Sequence, residues 1–234
     1  MRSPTLPPPP SSQPPTRPSE PPPARPRNAI ETKRRLLDAA EIEFAQKGFA
    51  GARLRDVAAV AGVQQALIHH YFADKGGLYR AVLDRAIAET AEGSLRILEQ
   101  DQPLLPTIDA FVDMLVRFYA THANLLSILR MEAASGPGVA LEIMRDRTKP
   151  ILDAVEVKIT LWQAEGVVRR EVTAREIIVA ILALTVFPYQ EAPLLEALWP
   201  GSKDEAENEA GIAQRKRMIV DIVTQGLLPK RAAG

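Results

Sequence analysis

The chain of 234 residues contains no cysteine, which excludes disulfide bonds, thiolate metal sites and cysteine nucleophiles. Proline is scarce beyond the N-terminus, because twelve of the 20 prolines fall within residues 1–28. The longest strongly apolar run, residues 177–187, ends at Pro188 and is too short to cross a bilayer. The N-terminus also lacks the apolar core that is typical of a secretory signal. These absences predict a soluble, cytoplasmic protein with no membrane partner.

The local patterns of common enzymes are also missing from the sequence. There is no serine in a nucleophile elbow, no Walker-type phosphate loop and no HExxH zinc motif. Two of the three histidines, His69 and His70, are adjacent, and neighbouring side chains on a helix diverge by about 100°, so they cannot share one ion. The sequence therefore predicts no enzyme activity, no catalytic residue, no metal site and no cofactor.

Charge is balanced over the whole chain but is unevenly placed. The 29 basic and 29 acidic residues give a formal net charge of zero. Residues 1–28 and 29–85 are nevertheless net basic, whereas residues 86–234 are net acidic. A basic N-terminal third attached to an acidic remainder favours a polyanionic partner at the N-terminal end.

Residues 1–28 form a segment of low complexity that is rich in proline. Such a segment buries too little apolar area to offset the entropy of ordering, and its prolines donate no backbone hydrogen bonds. The composition predicts a disordered arm. Its four arginines could follow a phosphate backbone or a minor groove, and a solvated tail without a role remains the alternative.

From Ala29 onward the apolar residues recur with helical spacing, and no stretch alternates with period two. Leu37, Ala40 and Phe44, with Ile30 one heptad earlier, mark a first helix that Gly48 closes. Further helices are predicted over 54–61, 64–72 and 74–100, then around 108–119, 125–131, 151–162, 174–187 and 208–228, with a kink or split at Pro150 and a solvated loop over 202–210. The expected fold class is all-α.

The most informative feature is a pair of short helices on either side of Gly62. Glycine adopts the left-handed conformation that a sharp turn between helices demands. On the second helix Ile68 and Phe72 point to one side, while Ala66 and His70 centre the opposite side, which carries no lysine or glutamate. A surface of short or flat side chains suits a helix that lies in a groove. This pattern is typical of a helix-turn-helix, whose second helix enters the major groove.

Residues 33–85 resemble the N-terminal DNA-binding domain of the tetracycline-repressor (TetR) family. The matching motifs are Ala39-Ala40, Phe44, Gly48-Phe49, Asp56-Val57-Ala58, Ala61-Gly62-Val63, Tyr71-Phe72, Lys75 and Leu78. The resemblance implies a homodimeric transcriptional regulator, usually a repressor, that releases a palindromic operator when a small effector enters its C-terminal domain. It divides the chain into the arm of residues 1–28, a DNA-binding domain over 29–75 and a ligand-binding and dimerisation domain over 76–229.

The resemblance also implies roles for individual residues. Contacts to bases are expected from Gln64, Gln65, Ala66 and Leu67, and contacts to phosphates from His69, His70, Tyr71 and Lys75. Glutamine pairs well with adenine and leucine with a thymine methyl, so a preference for A·T steps is a hypothesis. Burial in the three-helix core explains Tyr71 equally well, and without the motif Lys75 would be an ordinary solvated lysine.

Three departures from the family pattern have physical consequences. Arg53 stands where a capping threonine is common, so the second helix loses its side-chain cap and the arginine could reach a phosphate instead. Gln64 replaces a capping serine in the same way. Gly76-Gly77 stands where acidic residues are common, which suggests a softened joint that takes part in switching.

We expect the C-terminal half to bind the ligand and to form the dimer interface. His122, Arg130 and Trp162 are the candidate ligand-binding residues, although a capping histidine, a surface arginine and a core-edge tryptophan are the favoured explanation for each of them taken singly. The blocks 174–187 and 208–228 resemble the family's four-helix dimer interface. Two functional alternatives stay open: a DNA-binding protein that needs no ligand, and an activator of the same fold.

Overall fold

The computed structural model describes residues 26–135 and 138–228, and the regular secondary structure within them is entirely helical. The predicted all-α fold is confirmed. Residues 1–25 of the predicted arm lie outside the described residues, and the first helix begins three residues before Ala29. The helices are α1 (Pro26–Gly51), α2 (Leu54–Ala61), α3 (Ala66–Phe72), α4 (Lys75–Glu99), α5 (Leu104–Thr121), α6 (Ala123–Ser135), α7 (Val139–Ala164), α8 (Ala174–Gln190), α9 (Ala192–Leu198), α10 (Ser202–Glu207) and α11 (Glu209–Leu227).

Helix α1 buries the predicted stripe along most of its length. Leu37, Ala40 and Phe44 are buried, and Gly48 leaves the helical conformation at φ 66° and ψ 176°, so the helix kinks where an end was predicted. The expectation for Ile30 is wrong, because its side chain is 73% exposed. The stripe therefore begins inside the helix, since the first turns of α1 project beyond the elements that cover Leu37.

Two predictions for the C-terminal half are also wrong. Pro150 does not split its segment, because α7 continues through it from Val139 to Ala164, and the alternative of a kink at this position stays a prediction. Burial of Ile151 and Ile159 against the body outweighs the one backbone hydrogen bond that proline removes. The predicted loop over 202–210 instead contains α10 and the start of α11. It is anchored by the buried side chain of Ala206, a contact that its acidic composition conceals.

Two hydrophobic cores lie one after the other along the molecule. The first core joins Phe44 of α1 and Ile68 of α3 to Leu83 of α4 and Ile128 of α6. The second core lies among α5, α7, α8 and α11, with Ile219 at its centre. Because α4 and α6 share a core with α1–α3, the N-terminal helices are packed firmly onto the remainder of the chain.

Helix α8 begins with a capping box. The Thr173 hydroxyl accepts from the Glu176 N–H, and the Glu176 carboxylate accepts from the Thr173 hydroxyl and N–H, which holds the pKa of Glu176 below its usual value. Among the described helices, none is by itself both long and apolar enough to cross a bilayer, and only α8 and α9 taken together reach that measure, with a bend of 67° between them.

Candidate nucleic-acid interface

The turn between α2 and α3 has the predicted geometry. Gly62 adopts a left-handed conformation with φ 65° and ψ 38°, and its N–H closes α2 by donating to the carbonyls of Ala58 and Ala59. The Val63 N–H donates to the Ala58 carbonyl at 3.0 Å, and the Val63 side chain packs against the first core. These bonds satisfy the last carbonyls of α2 and set the direction in which α3 leaves the turn.

Helix α3 separates a buried side from an exposed one. Ile68 and Phe72 are buried in the first core, as their spacing predicts. Leu67 and Tyr71 are half-buried against that core. The exposed side of α3 and the two residues that precede the helix together form a surface that we call the reading face. It consists of Gln64, Gln65, Ala66, His69 and His70. It carries no acidic residue and no lysine, so nothing on it repels a polyanion.

A buried carboxylate replaces the missing cap of α2. Arg53 makes no side-chain capping bond, as predicted, and its backbone N–H donates to Glu43 Oε1 on α1 at 3.2 Å. Lys47 donates to the same carboxylate at 2.8 Å and to Asp56 of α2 at 3.3 Å. The hydrogen bond to Glu43 raises the pKa of Lys47. Sequence analysis missed this cluster, although the spacing of Glu43 and Lys47 by one helical turn signals the pair.

The end of α3 and the start of α4 meet in a tight corner. Ala73 adopts φ 64°, a conformation rare for a residue with a side chain, and its carbonyl accepts from His69 Nδ1 at 3.0 Å. Asp74 caps α4, accepting from the Gly77 N–H at 2.8 Å. The Lys75 ammonium donates to the Ala50 carbonyl at 3.2 Å and lies 4.9 Å from the centre of the Phe49 ring.

The two glycines at this corner differ. A Cβ on Gly77 would lie 2.0 Å from the backbone oxygen of Phe72, whereas a Cβ on Gly76 would lie 3.3 Å from the Asp74 side chain. Gly77 is therefore required by close backbone packing. Close packing therefore gives Gly77 a second explanation, and the softened-joint hypothesis stays a prediction.

Two further cations lie beside the turn and α3, and sequence analysis missed both. Lys33 Nζ is 5.8 Å from the centre of the Phe72 ring, and Arg35 Nη1 is 3.9 Å from the position of a Cβ on Gly62. Both side chains are exposed and make no ion pair within 4 Å among the described residues. The pKa of Glu31 is lowered mainly by its hydrogen bond to Arg34 and also by the nearby charge of Arg35. Arg34 between them pairs with Glu31 and Asp38 at 2.7 and 3.1 Å. The basic run at 33–35 was the available signal, and the spacing of Arg34 from Glu31 and Asp38 on one helix already marks Arg34 as its paired member.

Comparison with known proteins identifies this arrangement. Residues 36–82 match the model of bacterial regulatory proteins of the tetR family, and residues 106–223 match that of a tetracyclin repressor-like C-terminal domain. The second match alone spans half of the chain. The chain belongs to the TetR family. It is therefore a DNA-binding transcriptional regulator of the helix-turn-helix type.

Several relatives extend over most of the chain. The transcriptional repressor SCO4008 of Streptomyces coelicolor is 27% identical over 197 residues, covering 83% of this chain and 98% of that protein. The regulator RutR of Escherichia coli is 25% identical, covering 88% and 95%. The solved structure of AibR in complex with isovaleryl coenzyme A and operator DNA has a TM-score of 0.62 and 17% identity, covering 82% and 97%, which shows a shared fold.

The TetR-type C-terminal half contains a cavity of about 160 Å³. Helices α4 to α8 supply nearly all of its walls, which are predominantly aliphatic and aromatic. Trp162 lines this cavity. His122 does not: it follows α5, where its Nδ1 donates to the Phe118 carbonyl at 2.9 Å and its ring stacks on Phe118. Arg130 lies on the surface, 3.8 Å from Glu191. The structure thus separates the three predicted ligand-binding residues.

Helices α8 and α11 pack together and leave apolar side chains uncovered. Val179, Ala183 and Phe187 repeat every fourth residue on the outside of α8, and Met218 and Ile222 do so on α11. We call these five residues the apolar face. Phe187 is 52% exposed, and the other large side chains are exposed to a similar degree. Large apolar side chains gathered on two adjacent helices are typical of a surface that another chain covers.

Proposed function

We propose that this TetR-family protein is a repressor that binds a palindromic operator as a homodimer and releases it when a small molecule occupies the cavity. The observation that carries the proposal is the placement of α4. Its first turn is locked to the end of α3 through Asp74 and Gly77, and Ile87, Ser94 and Leu98 farther along it line the cavity. One helix therefore touches both the helix-turn-helix and the space available to a ligand.

Base recognition is assigned to the reading face together with Leu67. Gln64 and Gln65 are exposed at the start of α3, where side chains approach base edges when such a helix enters the major groove. A glutamine amide can bond adenine N6 and N7 together, and Ala66 or Leu67 can contact a thymine methyl. An A·T preference at these steps remains our hypothesis. An operator that responds only to G·C substitutions would contradict it.

Phosphate contacts are assigned to side chains around that face. His69, His70, Tyr71, Lys75 and Arg53 retain this assignment from the sequence. The exposed, unpaired Lys33 and Arg35 are added because they lie beside the same helix and turn. Contacts of this kind set the register of the protein on the duplex without reading its sequence.

Homodimerisation is supported by the apolar face. Leaving side chains such as Phe187 and Ile222 in water is unfavourable by about 25 cal/mol for each Å² that a partner could cover. A two-fold dimer through α8 and α11 would make the interface self-complementary and present two α3 helices to one duplex. Half-sites about one helical turn apart then give the operator its palindrome.

Release requires that the effector bind more tightly to the conformation that does not fit the operator. A coupling of roughly 1–3 kcal/mol between the two sites changes DNA affinity about 5- to 150-fold. A molecule that binds both conformations equally would change nothing. Because α4 contributes walls to the cavity and is locked to α3, a ligand that displaces α4 also changes the spacing of the two reading faces.

The test begins with selection of genomic fragments that the full chain binds, followed by anisotropy titrations on the selected operator. Lys33→Ala and Arg35→Ala are each expected to weaken binding about threefold to tenfold and to reduce the salt slope by about one. Arg34→Ala is the matched control, since Arg34 is already paired with two carboxylates. Equal losses for all three variants, or no binding to any fragment, would contradict the proposal.

A reporter fused to the selected operator decides between repression and activation. Deletion of the regulator should raise expression, whereas lowered expression would identify an activator. Binding that no cavity ligand alters would favour the ligand-independent alternative.

A further inference from the structure

The cavity that the proposed function uses has an uneven chemical lining. Most of its walls are apolar, and several of its hydroxyls are already engaged. The Thr107 hydroxyl donates to the carbonyls of Gln102 and Pro103. The Thr90 hydroxyl donates to the Ile87 carbonyl oxygen at 2.9 Å. The Tyr119 hydroxyl has no hydrogen-bond partner among the described residues, and burial raises the pKa of Tyr119, which keeps it a neutral donor.

Among the described residues that line the cavity, Lys158 alone carries a charge. Its side chain is largely buried, and its ammonium lies 5.4 Å from the centre of the Trp162 ring. The remaining partner of the ammonium is Asp101, in the turn between α4 and α5. A single cation therefore lines a space whose other walls are apolar or carry hydroxyl groups.

Asp101 bonds that cation directly, but it does so from the solvent side. Its side chain is 84% exposed, and its backbone adopts φ 46°, a region that residues with side chains rarely occupy. An ion pair with one partner in solvent is weakened by competition with water and salt. A carboxylate that entered from the cavity would meet the same ammonium in a drier setting, where the charge–charge attraction is stronger.

The cavity volume limits the size of the ligand. A dry protein cavity of about 150 Å³ holds benzene, so the 160 Å³ measured here suits one ring or a short branched chain. Trp162 beside Lys158 offers a flat surface for such a ring.

We propose that the effector of this regulator is a small, largely apolar carboxylate whose anion takes the place of Asp101 at Lys158 while its apolar part fills the cavity beside Trp162. The role of this ligand as an effector rests on the proposed function. Its chemical class is inferred from the cavity alone. Lys158 is thus assigned as the specificity-determining residue that selects acids over their neutral analogues.

The experiment compares phenylpropionate with its neutral amide, phenylpropanamide, by calorimetric titration of the full-length protein. The acid is expected to bind about tenfold more tightly or better. Lys158→Met should abolish this preference, because the affinity for the acid should fall while the affinity for the amide stays the same. Lys158→Arg should restore part of the preference. Asp101→Asn should raise the affinity for the acid severalfold, because the carboxylate that competes for Lys158 has been removed. Lys149→Met is the matched control, since Lys149 lies on the same helix and pairs with Asp153 outside the cavity.

Tryptophan emission locates the binding site. The chain has two tryptophans, and Trp199 is 63% exposed, so a Trp199→Phe background leaves Trp162 as the single reporter. Binding of the acid should change the emission of Trp162 in the Trp199→Phe protein. The change should be smaller when Lys158→Met is added to that background.

Three results would overturn the ligand class: equal affinity for acid and amide, an acid preference that survives Lys158→Met, or no binding of either probe. Operator binding is measured in the same samples by anisotropy. If the acid binds with the expected selectivity and the operator is not released, the proposed function fails while the ligand class stands.

Discussion

The helix-turn-helix of α1–α3 and the body from α5 to α11 differ in how they cover their apolar side chains. In the first, Val57, Phe44 and Ile68 are almost fully buried, and the outer side of α3 carries only small or polar groups. In the body, a cavity remains within the core, and the apolar face remains on the outside. The first region exposes apolar side chains at scattered positions such as Ile30 and Val60, whereas the second has an internal cavity and the apolar face, to which we assign a ligand and a partner chain.

The two regions are nevertheless joined by a continuous core. Tyr79 of α4 packs edge-on against Phe44, with ring centres 4.8 Å apart, and its hydroxyl donates to Glu132 of α6. Arg85 of α4 pairs with Asp38 and Glu41 of α1 at 2.7 and 2.8 Å. Any shift of α4 must therefore carry the helix-turn-helix with it. In the mechanism that we propose, the tightly packed joint passes a displacement of α4 to the helix-turn-helix, and the cavity in the body gives a ligand the space to cause that displacement.

The largest expected effect lies on the reading face. Ala66→Glu places a negative charge where we propose phosphates and base edges to lie, and like-charge contact costs several kcal/mol. Operator affinity should fall at least about a hundredfold with the melting temperature unchanged. Anisotropy and thermal unfolding measure both. Ala154→Glu, at an exposed position on α7, is the control and should bind normally. A normal affinity for Ala66→Glu would remove α3 from the interface.

The apolar face provides the corresponding test in the body. Phe187→Glu should convert the proposed dimer to a monomer, because an unpaired carboxylate would be buried against the partner at a cost of several kcal/mol. Size-exclusion chromatography with light scattering measures the change, and operator affinity should fall with it. Val157→Glu changes an equally exposed apolar residue on α7 and should leave the mass unaltered. If both variants keep the mass of the unmodified protein, the interface lies elsewhere.

The joint between the regions gives a smaller effect. Gly77→Ala should lower the free energy of unfolding by about 2–4 kcal/mol, because the new methyl group would collide with the Phe72 carbonyl oxygen. Gly76→Ala should be within about 1 kcal/mol of the unmodified protein, or slightly stabilising, because it removes entropy from the unfolded chain. Urea unfolding compares the two. Equal effects would favour the softened-joint hypothesis over close packing as the explanation for Gly77.

The smallest effect concerns the turn between α9 and α10. The Glu196 carboxylate accepts from the N–H groups of Gly201 and Lys203 at 2.8 and 2.9 Å, which holds its pKa below the usual value. A lowered pKa in the folded state means that these bonds add stability above the unfolded pKa of about 4.3 and lose it as pH falls through the folded value.

Glu196→Gln should therefore melt lower than the unmodified protein at pH 7, and the difference should shrink toward pH 3. Glu99→Gln is the control, because Glu99 is exposed and makes no hydrogen bond or ion pair among the described residues. A difference for Glu196→Gln that does not depend on pH would contradict the assignment.

Much of the helix-turn-helix could be predicted because its signals are local. The stripe over Leu54 to Ala61, the left-handed Gly62 and the Asp74 cap each depend on residues within a few positions, and each is present in the structure. Ile30 was misjudged because spacing tells which side a residue faces but not whether anything covers it. Lys33 and Arg35 were missed because only the fold places Lys33 beside Phe72 of α3 and Arg35 beside Gly62 of the turn.

The body was predicted less completely because its features come from contacts between distant segments. Apolar spacing is the same for a filled core and for the wall of a cavity, so Trp162, His122 and Arg130 could not be ranked from sequence. Only Trp162 lines the cavity, and Lys158, which sequence analysis did not single out, supplies its charge. The roles of individual residues in binding DNA and ligand stay predictions.

The amino-acid sequence alone determined that this protein is helical, where its two short N-terminal helices turn, and to which family it belongs, because periodicity, glycine conformation and motif spacing are properties of neighbouring residues. Tertiary structure decided which glycine cannot accept a methyl group and where the body leaves a space lined by a single lysine. Those outcomes depend on the packing of segments that are far apart in the chain, and no local pattern encodes them.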